Sequence, residues 1–383
     1  MPNRKNNDIM TFSLILLILI IVAALSIVFI NTYDFMNSDL SDKKDIKVAT
    51  SMGEEKAINK SDTSNSNKET NDYSNAKNPL DNIQDPNKQN NNNSTASLDK
   101  FYYNQLDTYG KQIYYGIHEN ESNIRSGNYV IDFGTKFSDV LNSNNGSEIL
   151  NTAYQSAWDA YACDNPSLFY LDATKMYLNI KSTTKGNKTT HAVNISSGSN
   201  PNYYAKGFQS KQQVDQCLIE IETIRNQINQ SAKGNDYEKI KYIHNWLVDN
   251  ISYDKSLSKN NTHNVYGALR EKEVVCEGYA KAFKYLLDGL NIPCIMVTGV
   301  GVNSNGESES HAWNYVQINN MWYAVDVTWD DPIIVGGGKA SEKDRYAYFL
   351  KGERTISKNH VISQNISPVG MKFSYPTLSS NDY

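Results

Sequence analysis

Only five aromatic residues, Phe12, Phe29, Tyr33, Phe35 and Tyr73, fall in the first hundred positions of a chain that carries 26 Tyr, 11 Phe and 5 Trp in all. A core is built largely from big apolar and aromatic side chains, so the capacity to form one begins near residue 100. By length alone, 383 residues admit two or three domains of roughly 100–200 residues. The aromatic distribution narrows that to one globular part behind a long non-globular lead. Charge is nearly balanced, 37 basic against 42 acidic residues. A dedicated nucleic-acid binder would show a basic excess, so no nucleic-acid partner is expected. Four cysteines in a chain this long are too few for a disulfide scaffold.

Within the lead, residues 12–30 are apolar except for Ser13 and Ser26. At about 1.5 Å per residue a helix of that length spans roughly 28 Å, close to a bilayer's ~30 Å hydrocarbon core. Arg4 and Lys5 precede the run, whereas Asp34 and Asp39 follow its exit before any lysine. The basic flank stays in the cytoplasm. Residues 1–11 then form a cytoplasmic stub, 12–31 a transmembrane signal anchor, and the remainder lies outside the cell membrane. A cleaved signal peptide would have a shorter apolar region and a small-x-small site beyond it; here Ala23, Ala24 and Ser26 lie inside the run. Residues 32–99 are rich in Asn, Ser and Lys, and cannot bury enough apolar surface to offset ordering entropy. They read as a disordered linker.

The ordered part divides into an N-terminal α+β region, 100–230, and a C-terminal domain, 231–383. Phe101, Leu106, Tyr109, Ile113 and Ile117 recur at helical spacing. A strand is expected at 129–133 and a helix at 148–161. Alternation at 168–182 and 189–196 around Gly186-Asn187 predicts a hairpin. Val214, Cys217, Leu218, Ile221, Ile224 and Ile228 mark a further helix. Another, capped by Asn235 or Asp236, carries Ile240, Ile243, Trp246 and Leu247.

Three stretches carry chemistry: VCEGYAKAF at 275–283, SHAWN at 310–314 and AVDVTWDDP at 324–332. The first opens a helix whose apolar positions are Ala280, Phe283, Leu286, Leu287 and Leu290, closed by Gly289-Leu290-Asn291. Cys276 falls at its N-terminus, where free backbone N–H groups and the macrodipole favour an anion, hence thiolate. The other two stretches form a hairpin about Asn319-Asn320. A two-residue loop pairs 318 with 321 and 311 with 328, so Asp326 shares a face with His311, diagonal to it and within side-chain reach. A carboxylate there can fix the imidazole tautomer and leave the other ring nitrogen for the cysteine, the nucleophile–base–orienter logic of acyl transfer. Trp313, Tyr315 and Trp322 fall on the same strand face, as core against the cysteine helix or as a wall excluding water.

In this order, Cys276, His311 and Asp326, with CEGYAKAFKYLL, HAWN and VDVTWDDP, resemble the transglutaminase-like superfamily. Among its branches the chain is similar to bacterial transglutaminase/protease-like proteins related to the kyphoscoliosis peptidase group. IKYIHNWLVDNISYD at 240–254 and VYGAL at 265–269 add to the likeness, which covers about residues 235–332. The resemblance implies an α+β, papain-like core with a nucleophile helix packed on an antiparallel sheet. It assigns Cys276 as nucleophile, His311 as base and Asp326 as orienter, with no metal or organic cofactor. Lys272-Glu273-Val274 stands where many relatives have a glycine before the nucleophile.

Taken singly, Cys276 is a small buried hydrophobe, His311 a structural histidine and Asp326 a turn residue; the joint pattern points to an active site. Zinc ligation lacks any CxxC or HxxxH pair. Four cysteines allow three disulfide connectivities, Cys163–Cys217 and Cys276–Cys294 among them, with Cys276 expected free. His118, His191, His244, His263 and His360 show no ligand spacing and read as incidental. The expected protein is a membrane-anchored extracytoplasmic cysteine enzyme, a peptidase, amidase or cross-linking acyltransferase acting on surface proteins or cell-wall peptides. Loops at 299–310 and 333–343 would govern water access. The competing expectation is a non-catalytic surface module that keeps the fold.

Overall fold

The computed structural model describes residues 100–303, 305–331 and 341–383. The expected anchor at 12–31, the linker at 32–99 and most of the 333–343 loop lie outside them. No described helix is long and apolar enough to cross a membrane.

Asp107 caps the first long helix, α1 (Thr108–Glu119), by accepting from the Gly110 N–H at 2.6 Å. The helical period read from Phe101 therefore holds only from this cap onward; a short 3-10 turn (Tyr103–Gln105) precedes it. β1 (Ile131–Gly134) and α2 (Gly146–Asp164) follow. β2 (Tyr177–Lys185) and β3 (Lys188–Ser196) form the hairpin about Gly186-Asn187, and β1 lies antiparallel along the other edge of β3. The first strand starts later than its alternation suggests. Asp172 accepts from the Thr174 N–H at 3.1 Å and starts a 3-10 turn (Ala173–Lys175), so residues 168–176 are turns rather than strand.

α3 (Lys211–Ser231) and α4 (Asp236–Asn250) carry the next helical patterns. Asn235 and Glu238 make both bonds of a capping box, a device worth about 1 kcal/mol. β4 (Ser252–Tyr253) pairs in parallel with β5 (Glu273–Val274), which hands the chain to α5 (Cys276–Asp288). β6 (Cys294–Val302), β7 (Ser308–Ile318), β8 (Met321–Val325) and β9 (His360–Ile362) then form an antiparallel sheet in the order β8-β7-β6-β9. Much of the expected 299–310 loop is thus strand, with its turn between β6 and β7.

Alternation along β6 and β7 divides this sheet cleanly. Met296, Ala312, Asn314 and Val316 face α5, and the Asn314 Nδ2 donates to the Ala280 carbonyl at 3.0 Å. Ile295, Val297, Trp313, Tyr315 and Ala324 pack on the opposite face with Ile356 and Leu378. Trp313 and Tyr315 are therefore core against the C-terminal segment, not against the cysteine helix. The N-terminal region shares a core with the other side: Tyr102, Ile113, Tyr161 and Val193 cluster with Ala280, Met296 and Ala312. All four cysteines are free thiols, Cys276 partly exposed and the others buried, so neither Cys163–Cys217 nor Cys276–Cys294 is bridged.

Candidate active site

Val275 enters α5 in an extended conformation, its N–H donating to the Thr262 carbonyl at 2.9 Å, which makes Cys276 the first helical residue. Val275 offers no side-chain cap. The first-turn N–H groups thus face the thiol's surroundings with the positive end of the macrodipole. Lys272, in the approach, takes φ 66°, a left-handed conformation that a glycine adopts without strain. Glu277, the acidic neighbour of Cys276, is engaged elsewhere: its carboxylate meets Lys281 at 2.7 Å and His263 Nδ1 at 3.1 Å. Burial would raise its pKa, but Lys281 and His263 hold it down to about 2.

Asn319 and Asn320 both take positive φ, 51° and 61°, the signature of the type I′ turn that suits a two-residue hairpin. The ladder runs from Ile318↔Met321 to Asn314↔Val325, which is the register expected from the sequence. It stops there. The expected pairing of 311 with 328 does not form, because residues 326–331 turn away from the strand. Asp326 nevertheless stays on the His311 side, and its Oδ2 lies 2.6 Å from His311 Nε2. Oδ1 accepts from the Thr328 and Trp329 N–H groups at 3.0 and 3.2 Å, locking the turn.

The two later aspartates of the motif anchor that turn from outside. Asp330 Oδ2 lies 3.0 Å from His244 Nε2 on α4, both side chains fully buried, and Oδ1 accepts from the Tyr348 N–H at 2.7 Å. Asp331 Oδ2 accepts from the Tyr279 hydroxyl at 2.6 Å, on the helix that Cys276 begins. Asp326, Asp330 and Asp331 thereby tie β7, α4 and α5 to one six-residue turn.

The structure brings the three expected site residues together. With Nε2 on Asp326, Nδ1 is the His311 nitrogen left for the Cys276 thiol. Burial alone would lower the His311 pKa. The Asp326 charge and hydrogen bond, with a smaller share from Cys276, outweigh it and push the imidazole up to about 10. Asp326 shows the converse: burial would raise it, yet His311 and then His360 hold its carboxyl well below the usual range. Tyr253 is also close by. Burial, and after it Cys276, pushes its phenol up to about 12.

Two residues of the site lie outside the sequence expectation. Trp329 stacks on His311 with ring centroids 5.0 Å apart and planes at 29°; Trp313 lies 6.0 Å away at 23°. Trp329 and Trp313 form the wall, with no ring contact from Tyr315 or Trp322 to His311 among the described residues. His360, which spacing marks as incidental, places Nε2 3.0 Å from the same Asp326 oxygen that His311 uses. His244 and His263 likewise have the carboxylate partners given above.

Among the described residues, His311, Asp326 and His360 form a donor cluster tight enough to consider for a cation, with one ligand atom from each lying within 4.8 Å of the others. The separations of 2.6 and 3.0 Å from Oδ2 to the two Nε2 atoms are hydrogen-bond lengths. A zinc ion would need every donor about 2.0–2.2 Å from itself, and here the carboxylate oxygen occupies the place between the nitrogens. The donor set fits a shared carboxylate, not a metal cage.

Residues 223–327 match the family model described as the transglutaminase-like superfamily. The kyphoscoliosis peptidases of Mus musculus and Homo sapiens are each 27% identical over 110 residues, which is 26% of this chain and 16% of theirs. The chain thus covers under a fifth of those relatives. Among solved structures, a transglutaminase overlaps 46% of this chain and 50% of its own at 15% identity, with a TM-score of 0.28. The periplasmic domain of TgpA from Pseudomonas aeruginosa overlaps 37% of this chain and 55% of its own at 15% identity, with a TM-score of 0.24. Cys276, His311 and Asp326 all lie within residues 223–327, the segment that is similar to the transglutaminase-like superfamily.

Proposed function

We propose that this protein is a membrane-anchored, extracytoplasmic cysteine enzyme that transfers acyl groups through Cys276, His311 and Asp326. The observation that carries the reading is the 2.6 Å hydrogen bond between His311 Nε2 and Asp326 Oδ2, in a site where Cys276 opens α5. His311 takes the Cys276 proton, and the thiolate attacks a carboxamide or peptide carbonyl. Its sulfur–carbon bond forms as the carbonyl π electrons move to oxygen. Collapse expels the amine, which takes the His311 proton and leaves a thioester. Water or a second amine, deprotonated by His311, then attacks the thioester and releases the thiolate. Water yields a peptidase or amidase; an amine yields cross-linking. Free N–H groups at the start of α5, that of Cys276 first, are placed to receive the developing oxyanion. The chain's own groups supply every proton and charge this sequence requires.

The location rests on the apolar run with its basic flank at Arg4 and Lys5. Residues 12–31 serve as anchor, 32–99 as spacer, 100–230 as an accessory region and 231–383 as the catalytic domain. Substrates within reach of such a tether are surface proteins and cell-wall peptides. Incubation with a mixed peptide library and a tagged primary amine tests the chemistry. Amine incorporation or peptide shortening that vanishes in Cys276→Ala is the expected result. Neither product from the wild type would overturn the reading in favour of a non-catalytic module.

A further inference from the structure

β9 is three residues long and 34 positions beyond Asp326, yet it delivers a buried histidine to the centre of the site. Its ladder pairs His360 with Gly301 of β6, while Gly299 of the same strand pairs with His311 of β7. His360 and His311 therefore share one sheet face, diagonal across β6. The two positions between them carry no side chain. A Cβ at Gly301 would lie 2.7 Å from the Trp329 ring, and one at Gly299 would lie 2.8 Å from the Trp313 ring. Both indoles thus cover bare backbone, and His360 packs among them with centroid distances of 4.9 Å to Trp313 and 4.5 Å to Trp329.

Every acceptor direction of Asp326 is then occupied. Oδ1 takes two backbone N–H groups, and Oδ2 takes His311 Nε2 at 2.6 Å and His360 Nε2 at 3.0 Å. The other His360 nitrogen lies 2.9 Å from Asn359 Oδ1, whose amide nitrogen donates to the Tyr348 hydroxyl at 2.7 Å. Asn359 thus abuts the His360 ring on the side away from Asp326.

We propose that His360 is a positioning residue of the site: it fixes Asp326 Oδ2 on the His311 imidazole from the far side, excludes water from that oxygen, and so keeps His311 turned toward Cys276. This rests on the reading that His311 and Asp326 activate Cys276. Within the site His360 meets the Asp326 carboxylate and acts through it. An Oδ2 with one side open would bind water or rotate, and the imidazolium opposite the thiolate would lose alignment.

Alkylation of Cys276 by iodoacetamide at pH 6 tests this with His360→Leu and His360→Gln. Leucine fills the volume without donating; the glutamine amide can donate to Oδ2. The leucine variant should alkylate about tenfold more slowly or worse, with the wild-type circular dichroism retained, and the glutamine variant should stay within about threefold of wild type. A wild-type rate in the leucine variant, or an equal loss in both, would reduce His360 to packing and overturn the proposal. A second measurement removes any dependence on how those variants fold. In protein labelled with nitrogen-15 histidine, Asp326→Asn should move the Nε2 signals of both His311 and His360 from their wild-type positions; a change confined to His311 overturns the proposal. Neither readout needs turnover. A wild-type thiol no faster than a model thiol would sink the proposed function, while the imidazole signals would still decide the role of His360.

Discussion

His311 Nε2 and Asp326 Oδ2 lie 2.6 Å apart, both side chains buried, just past the point where the β7–β8 ladder ends. An imidazole and a carboxylate this close form a charge-assisted bond. The pair withstands burial because each compensates the other and because backbone N–H groups satisfy the second carboxylate oxygen.

Asp326→Asn keeps the shape of that arrangement and removes its charge. Turnover should fall about 10²–10⁴-fold, the range a positioned acid–base group contributes. Initial rates at saturating substrate check it, with near-wild-type KM expected because Asp326 contacts no substrate.

The raised His311 pKa predicts the basic limit of activity. Loss of the imidazolium should set in as pH rises through about 10, not near the ordinary histidine value. The same shift has a sign for stability. A histidine raised on folding stabilises fully below its unfolded pKa, about 6.5, and that contribution is lost as pH rises through about 10. Burial raises Asp164 to about 7 and Asp330 to about 6, so the stability they lose with rising pH, of the same sign, is largely lost before that window. Melting temperatures from pH 7 to 10 should therefore fall more for wild type than for His311→Gln.

Gly299→Ala should destabilise the protein by roughly 1–3 kcal/mol, the usual scale of overpacking. Its Cβ would stand 2.1 Å from the Val361 carbonyl oxygen, a backbone atom that cannot yield without shifting β9. Denaturant unfolding measures the loss, and Cys276 alkylation should slow with it as His360 moves.

Lys284→Met separates stability from chemistry. The Lys284 ammonium, 2% exposed, bonds both oxygens of Asp288 at 3.0 and 2.9 Å and the Cys294 carbonyl at 3.2 Å. Breaking a buried pair from one side costs about 3–5 kcal/mol, and the lower end is expected because Asp288 is partly exposed. Denaturant midpoints should drop while the alkylation rate of Cys276 in the folded protein stays at the wild-type value.

The part of the site that was legible in the sequence is the part set by local rules. Asn319-Asn320 dictated the turn, the turn dictated the register, and the register put Asp326 on the His311 side. Cys276 announced itself through the helix it opens. What local pattern could not give is which sheet face that helix covers: of the two readings for Trp313 and Tyr315, packing against the cysteine helix fails, while Trp313 does stand beside His311 as part of the wall. His360 sits on a three-residue strand, too short for any periodicity, and reaches Asp326 only through pairing with β6. His244 meets Asp330 across 86 positions, a contact that no spacing rule encodes. At 168–176 the apolar alternation was real, but the Asp172 side-chain bond favoured a turn over a strand.

The central claim is that Cys276 is activated by His311, and the alkylation rate of that thiol by iodoacetamide between pH 5 and 9 tests it most directly. Cys163, Cys217 and Cys294 are buried, so Cys276 dominates the signal. Wild type should react at pH 6 at least about tenfold faster than a model thiol, and His311→Ala should abolish the advantage. A wild-type rate equal to the model thiol's, unchanged in His311→Ala, would contradict it.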